Sequence, residues 1–350
     1  MTLDTNNCLE NSNDYTIVEN NIQQRFEWIK HRYIIQTQIG EGAFSQVFKA
    51  YDTHTNSYVA IKAISQTTAP IRILEELNIL KMLGGQNFCI PLIDVKRKND
   101  QILAIFPLIN GIDFKDFIKT SNKKDVQNYM MCLLKAVKHI HSYGYMHRDI
   151  KPSNFLYDMN QELGFLIDFG LVQKVKLKKI MKETKEAPIL FFNSTIKPSR
   201  PPGYFEYDSR PIMKAPRAGT RGFRAPEILF KSTQQGTEID IWSVGVIFLC
   251  ILTNQYPFFI SLEDMDGLVE IGIIFGHAKM RKAAKLYNRI WKSNIETITE
   301  EGLGFRKIIE NLNPEGDISD DAIDLLEKLL CLDSNERITA EEAIKHKYFY

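Results

Sequence analysis

The spacing of apolar and polar residues divides the chain into a polar start, a strand-rich section and a long helical remainder. Residues 1 to about 24 are polar and asparagine-rich and read as a flexible tail. Phe26, Trp28 and Ile29 anchor a short helical lead-in over residues 25–32. Strands then take over: residues 33–39, a glycine turn, a return through Val47 and Phe48, and an apolar strand closing on Lys62. Residues 71–83 carry a helical repeat in Ile71, Leu74, Leu77, Ile79, Leu80 and Leu83, and Gly84-Gly85 ends it. Residues 89–95 and 101–106 are predicted as two more strands, with residues 96–100 as a charged turn. Helices follow at 114–119, 125–143, 237–248, 262–274, 278–291, 304–312, 320–330 and 340–345. Neither an internal repeat nor a coiled coil is visible.

A length of 350 residues permits a large core and two lobes, and 44% hydrophobic with 25% charged residues suits a soluble globular protein. The formal net charge of +1 gives no global field toward nucleic acid or membrane. The longest apolar stretch, residues 244–252, is too short to span a bilayer, and no apolar run near the start makes a signal peptide. Cys8, Cys89, Cys132, Cys250 and Cys331 are scattered without a C-x-x-C pair, which argues against a structural zinc or a disulfide framework. Four of them sit in apolar surroundings and read as small core residues. The expectation is a soluble intracellular protein.

Two short runs carry the chemistry. Residues 147–154 read His-Arg-Asp-Ile-Lys-Pro-Ser-Asn, and residues 168–170 read Asp-Phe-Gly. Asp149 can orient an attacking hydroxyl and accept its proton. Asn154 and Asp168 offer oxygen ligands suited to Mg²⁺, a hard cation. A tight loop presents the base and one ligand, and a β-hairpin returns the second carboxylate. The Gly40-Glu41-Gly42-Ala43-Phe44-Ser45 turn lets backbone N–H groups approach phosphates, though a lone G-x-G is equally an ordinary hairpin. His139 and His141, at the end of the 125–143 helix, favour its dipole and read as structural, as does His147.

These runs, with Val59-Ala60-Ile61-Lys62 upstream and the stretch from Gly219 to Glu227 downstream, resemble the eukaryotic protein kinases over residues 33–350. Lys151 and Gly219-Thr220 resemble the serine/threonine class. The resemblance implies an α+β, bilobal protein-kinase fold. A small antiparallel-sheet N-lobe with one main helix spans about 33–106, a hinge about 107–111, and a larger helical C-lobe about 112–350. It makes ATP and Mg²⁺ the cofactors. Ile39, Gly40, Glu41, Gly42, Ala43, Phe44, Ser45, Gln46, Val47, Ala60, Lys62 and Leu108 would bind the nucleotide, and Phe106 would guard the back of its pocket. Asp149, Lys151, Lys62 and Glu76 would be catalytic, and Asn154 and Asp168 would bind the metal. Of the adjacent carboxylates, Glu76 is taken as the partner of Lys62 and Glu75 as a solvated face charge. Asp240 would tie down the catalytic-loop backbone. Arg337 can pair bidentately with Glu227.

Residues 171–217 are expected to form an inserted, partly disordered loop, holding eleven Lys or Arg against four Asp or Glu. That charge is either merely solvated or attracts acidic partners. Residues 69–77 with 84–87, 97–100, 151–157 and 216–227 look like the cell-division-cycle-seven kinases, which carry such inserts and have Ser where Ser45 stands. This narrower resemblance implies a nuclear kinase that needs a regulatory activating subunit. Its protein substrates would lie in the replicative MCM helicase, at Ser or Thr beside acidic residues. Neither direct sequence-specific nucleic-acid binding nor membrane attachment is implied. The insert usual after the Trp242 helix is expected to be short, and the C-terminal extension that helps bind the partner is not seen before Tyr350. The alternatives are another acid-directed Ser/Thr kinase and a pseudokinase scaffold, the latter opposed by the presence of Lys62, Asp149 and Asp168.

Overall fold

The computed structural model describes residues 24–42, 44–65, 67–175 and 216–350. The predicted tail over 1–23 and most of the predicted inserted loop, 176–215, lie outside the described residues, as does Ala43 of the glycine turn. The chain divides between Asn110 and Gly111 into two units.

The first unit is built on a five-stranded antiparallel sheet in the order β1-β2-β3-β5-β4. Its strands are β1 (Tyr33–Gly42), β2 (Ser45–Asp52), β3 (Ser57–Ile64), β4 (Asp94–Lys98) and β5 (Gln101–Pro107). Period-two burial sends one set of side chains into a core of Tyr33, Ile35, Phe48, Ala50, Val59, Ile61, Ala63, Leu103 and Ile105. Phe26 and Ile29 of the lead-in join this core, with Phe26 edge-on to Phe48 at 5.0 Å. The lead-in is a 3₁₀ turn, Glu27–Ile29, rather than a longer helix. Arg32 fixes its exit, pairing with Asp52 at 3.0 Å and Asp94 at 3.3 Å.

Helix α1 (Pro70–Leu83) starts on a proline at its first position and stops at Gly84, whose φ of 61° is left-handed. Its predicted apolar set does not form a single buried stripe. Ile73, Ile79, Leu80 and Leu83 are buried, whereas Ile71 and Leu74 are 60% and 55% exposed.

The fourth strand also differs from expectation. Residues 90–93 are not strand, and β4 runs through the charged Lys96–Lys98, where the sequence predicts a turn. Pro91 has no N–H to give a ladder, and Asn87 and Phe88 have positive φ. At the sheet's edge, charged side chains meet water, so a charged strand costs little.

The second unit is mainly helical: α2 (Phe114–Thr120), α3 (Lys123–Ser142), α4 (Pro226–Leu229), α5 (Glu238–Thr253), α6 (Asp264–Leu286), α7 (Phe305–Leu312), α8 (Asp320–Leu329) and α9 (Ala340–Ile344). Asn122 and Asp125 close a capping box at the start of α3. Every residue of α5 from Ile239 to Thr253 is buried, as expected of a helix apolar all round. The two helices predicted at 262–274 and 278–291 are halves of α6, joined across a non-helical Gly276. The second half ends at Leu286, because Tyr287 caps it and Asn288 turns left-handed. Two small two-stranded sheets accompany the helices: β6 (Tyr145–Met146) pairs with β9 (Gln173–Lys174), and β7 (Phe155–Asp158) forms a hairpin with β8 (Leu163–Leu166). No helix among the described residues is long and apolar enough to cross a membrane.

Candidate active site

Within the first unit, strand register gathers one set of candidate residues. Gly40 lies opposite Val47, Val47 opposite Lys62, and Lys62 opposite Ala104. Ala60 lies opposite Phe106. Directly paired residues share a face, so Gly40, Val47, Ala60, Lys62 and Phe106 line the side of the sheet away from Ile61 and Phe48. Lys62 Nζ donates to Glu76 Oε1 of α1 at 2.7 Å, with both side chains less than one-fifth exposed. The partner is Glu76 and not the neighbouring Glu75.

The glycine turn is short: Gly42 lies opposite Ser45. A Cβ added to Gly40 would meet only Val47 at 3.5 Å, and one added to Gly42 only Ser45 at 3.6 Å. Those are ordinary contacts, so packing does not demand glycine there. Close approach by an outside group would favour glycine, and phosphates that accept backbone N–H groups would fit. Ile39, Glu41 and Phe44 are exposed around the turn, Ser45 and Gln46 are half-buried on β2, and half-buried Leu108 follows β5 directly.

Within the second unit, the β7–β8 hairpin positions the two candidate metal ligands, Asn154 and Asp168. Phe155 pairs with Leu166, and Ile167 N donates to Asn154 O at 3.0 Å. Asp168 therefore follows a residue held directly against Asn154. Asn154 Nδ2 is spent on Asp149, donating to its Oδ2 at 3.0 Å and its backbone O at 2.9 Å. That turns the amide with its nitrogen toward Asp149 and leaves Oδ1 as a candidate neutral oxygen ligand, with the Asp168 carboxylate as the other candidate. The donor set suits a hard divalent cation.

Asp149 is the hub. Its Oδ1 accepts from the Thr220 backbone N–H at 2.9 Å and the Thr220 hydroxyl at 2.7 Å. Its Oδ2 lies 2.9 Å from Lys151 Nζ, which also donates to Thr220 Oγ1 at 2.9 Å. Thr220 reaches this position because Gly219 adopts a φ of 91°; a Cβ there would lie 2.8 Å from Arg148 O.

The loop carrying Asp149 is pinned from below by α5. Asp240 Oδ2 accepts from His147 N and Oδ1 from Arg148 N, both at 2.7 Å, and His141 Nε2 lies 2.8 Å from Oδ2. Arg148 is held at a φ of 74°, a backbone strain that these bonds hold in place. Burial raises the cost of charging Asp240, but the bond from His141 and the surrounding donors outweigh it and hold the carboxyl below its usual range. Burial holds His147 below the usual imidazole value, so it is the neutral form that packs edge-on against Phe169 at 5.4 Å. Further out, Arg337 holds Glu227 through a buried bidentate pair at 2.7 and 3.0 Å.

Two relationships were not visible in the sequence. Thr220 had been read only as a class marker, yet it is the main donor to Asp149. Asp264 was not singled out, yet its Oδ1 accepts from Arg217 at 2.9 Å and Arg224 at 3.1 Å. The Thr220 role could have been sought in its position after a glycine near the end of the insert. Nothing local marks Asp264, which lies 40 residues beyond Arg224.

Residues 33–349 match the protein kinase domain family. The chain is 50% identical to "Probable cell division control protein 7 homolog 1" of Encephalitozoon cuniculi, over 95% of this chain and 96% of that one. It is 37% identical to "Cell cycle serine/threonine-protein kinase hsk1" of Schizosaccharomyces pombe, over 94% of this chain and 75% of the relative. It is 26% identical to the human "Cell division cycle 7-related protein kinase", over 95% and 92% respectively. With Asp149 held by Thr220 and Lys151, Lys62 paired to Glu76 and a family match over residues 33–349, the chain belongs to the protein kinase family, as a cell-cycle serine/threonine kinase of the cell-division-cycle-seven type.

Proposed function

We propose that this kinase phosphorylates Ser or Thr beside acidic residues on subunits of the replicative MCM helicase, and so triggers initiation of DNA replication in the nucleus. The observation that carries the acidic preference is the pair of arginines at the platform. Arg217 and Arg224 share a single oxygen of Asp264, and exposed Arg221 lies between them in sequence. The three guanidinium groups lie within four residues of Thr220, which bonds Asp149, and would give a substrate carboxylate cationic partners there. The replication role is supported by relatives named for cell division control and the cell cycle.

In this reading the backbone of Gly40 and Gly42 covers the ATP phosphates, and Lys62, aligned by Glu76, holds the α- and β-phosphates. Asn154 and Asp168 would hold Mg²⁺, which when bound supplies charge that screens the transferred phosphoryl group. Asp149 orients the substrate hydroxyl and takes its proton as the oxygen bonds to the γ-phosphorus and the bond to the ADP oxygen breaks. Lys151 neutralises the γ-phosphate. Catalysis is positioning plus electrostatics.

A regulatory subunit completes the proposal. Ile71 and Leu74 stand exposed on α1, the helix that brings Glu76 to Lys62. A partner covering them would set the ion pair. The test is transfer from labelled ATP to acidic Ser/Thr peptides and to MCM subunits, with and without a candidate regulatory subunit. Transfer to the acidic sites that rises on adding the subunit is the expected result. A purified chain that binds ATP yet transfers nothing under either condition would make it a scaffold.

A further inference from the structure

Directly beyond the arginine platform, the chain exposes three large apolar side chains in six residues. Ile260 is 71% exposed, Leu262 70% and Met265 53%. This is not a loose loop. The backbone N–H groups of Ile260 and Ser261 donate to the two carboxylate oxygens of Glu270, at 3.1 and 3.3 Å. Buried Phe259 anchors the segment on one side, and Asp264, tied to Arg217 and Arg224, anchors it on the other. The apolar groups are therefore presented on fixed backbone, which lowers the ordering cost of binding to them.

The ledge is continuous with the platform. A Cβ on Gly222 would lie 2.7 Å from Phe259 O, and Gly222 is two residues from Thr220, which bonds Asp149. From Asp149 to Ile260 along these contacts is at most about 20 Å, the span of about six extended residues. A polypeptide whose hydroxyl meets Asp149, and whose neighbouring carboxylate meets the arginines, reaches the ledge within that length. Exposed Glu263 and Asp266 flank it, so the ledge favours cationic neighbours.

We propose that Ile260, Leu262 and Met265 are a docking ledge for the protein substrate. They take an apolar side chain, flanked by Lys or Arg, within about six residues of the phosphoacceptor on the side of its acidic neighbour. This rests on the reading of Asp149 and the arginines given above. The occupant is the substrate rather than a second copy, because the ledge abuts the residues that address the acceptor and its carboxylate.

The experiment uses the full chain with its activating subunit and two peptides sharing a Ser-Glu core. One ends in polar residues, and the other continues past the glutamate into Leu-Lys-Leu-Lys. The extended peptide is expected to show a KM lower by about fivefold or more at similar kcat, the effect of burying part of one leucine. The I260D/L262D variant, and the milder I260S/L262S, should lose that advantage and keep wild-type kcat/KM on the short peptide. Equal KM values for the two peptides in the wild type, or an advantage that survives in both variants, would overturn the ledge and leave the acceptor site standing. No turnover of the short peptide by the wild type would overturn the acceptor reading and the ledge with it. A sedimentation mass that halves in the variants would give the ledge to a second copy and overturn the proposal.

Discussion

Thr220 gives both of its donors to a single oxygen of Asp149, the backbone N–H at 2.9 Å and the hydroxyl at 2.7 Å. The Asp149 carboxylate is thus oriented by a residue of the segment that precedes Glu227 rather than by its own loop alone. A shift in that segment would misdirect the carboxylate without moving the loop.

Replacing Thr220 with Val removes the hydroxyl and keeps the backbone bond. A hydrogen bond to a charged group is worth about 1.5–3 kcal/mol, so kcat should fall roughly 10- to 100-fold. Thr220→Ser should restore most of it. Steady-state kinetics of the three forms on one acidic peptide is the check; equal kcat in Val and Thr forms would show that the hydroxyl does not position Asp149.

Acid should loosen the catalytic loop, by a sign that can be worked out for both groups beneath it. The Asp240 carboxyl lies below its ordinary value of 3.8, so its contribution is complete above that pH and fades as pH falls through the folded value. His147 lies below its ordinary 6.5, so below that pH the unfolded chain takes up a proton that the folded chain refuses. Both act in the same direction. Stability should be level above pH 7 and decline from about 6.5 downward. His147→Gln should remove the upper part of the decline, and chemical denaturation at stepped pH would show it. A stability that rises on acidification from pH 7 to 5 contradicts the assignment.

The Arg337–Glu227 pair is buried on both sides, at 0% and 1% exposure. Removing one partner of such a pair strands the other charge, at about 3–5 kcal/mol. Arg337→Ala should therefore destabilise the helical unit by that order in urea unfolding. A loss under 1 kcal/mol would show that water reaches Glu227 once the arginine is gone.

Ile71 and Leu74 test the regulatory reading. Changing both to Ser should leave the fold and the basal rate unchanged, since both are exposed, and should cut activation by the regulatory subunit. Titration of the subunit into wild type and variant reads this directly. Undiminished activation at the same half-saturating concentration would place the subunit elsewhere.

What could be read from the residues alone follows from how local each signal is. The sheet, α3 and α5 show in apolar spacing, and the loop from His147 to Asn154 shows in a motif whose chemistry depends on close spacing. Helix phase, with Glu76 four residues before Leu80, favours it only weakly over Glu75, and the 2.7 Å bond to Lys62 agrees. The edge strand β4 misled because its residues are charged, and charge reads as turn until the strand's place at the sheet edge is known. Ile71 and Leu74 misled for the opposite reason. Apolar residues at helical spacing read as core, yet these two face solvent. The tie of Thr220 to Asp149 crosses 71 residues, and those of Asp264 to Arg217 and Arg224 cross 47 and 40. No spacing rule reaches that far.

The most direct measurement is phosphoryl transfer by Lys62→Ala, Asp149→Asn and Asp168→Asn, each beside a circular-dichroism spectrum and a melting curve. All three should lose transfer to an acidic Ser/Thr peptide while keeping the wild-type spectrum and melt. Near-wild-type turnover in any folded variant would contradict the account.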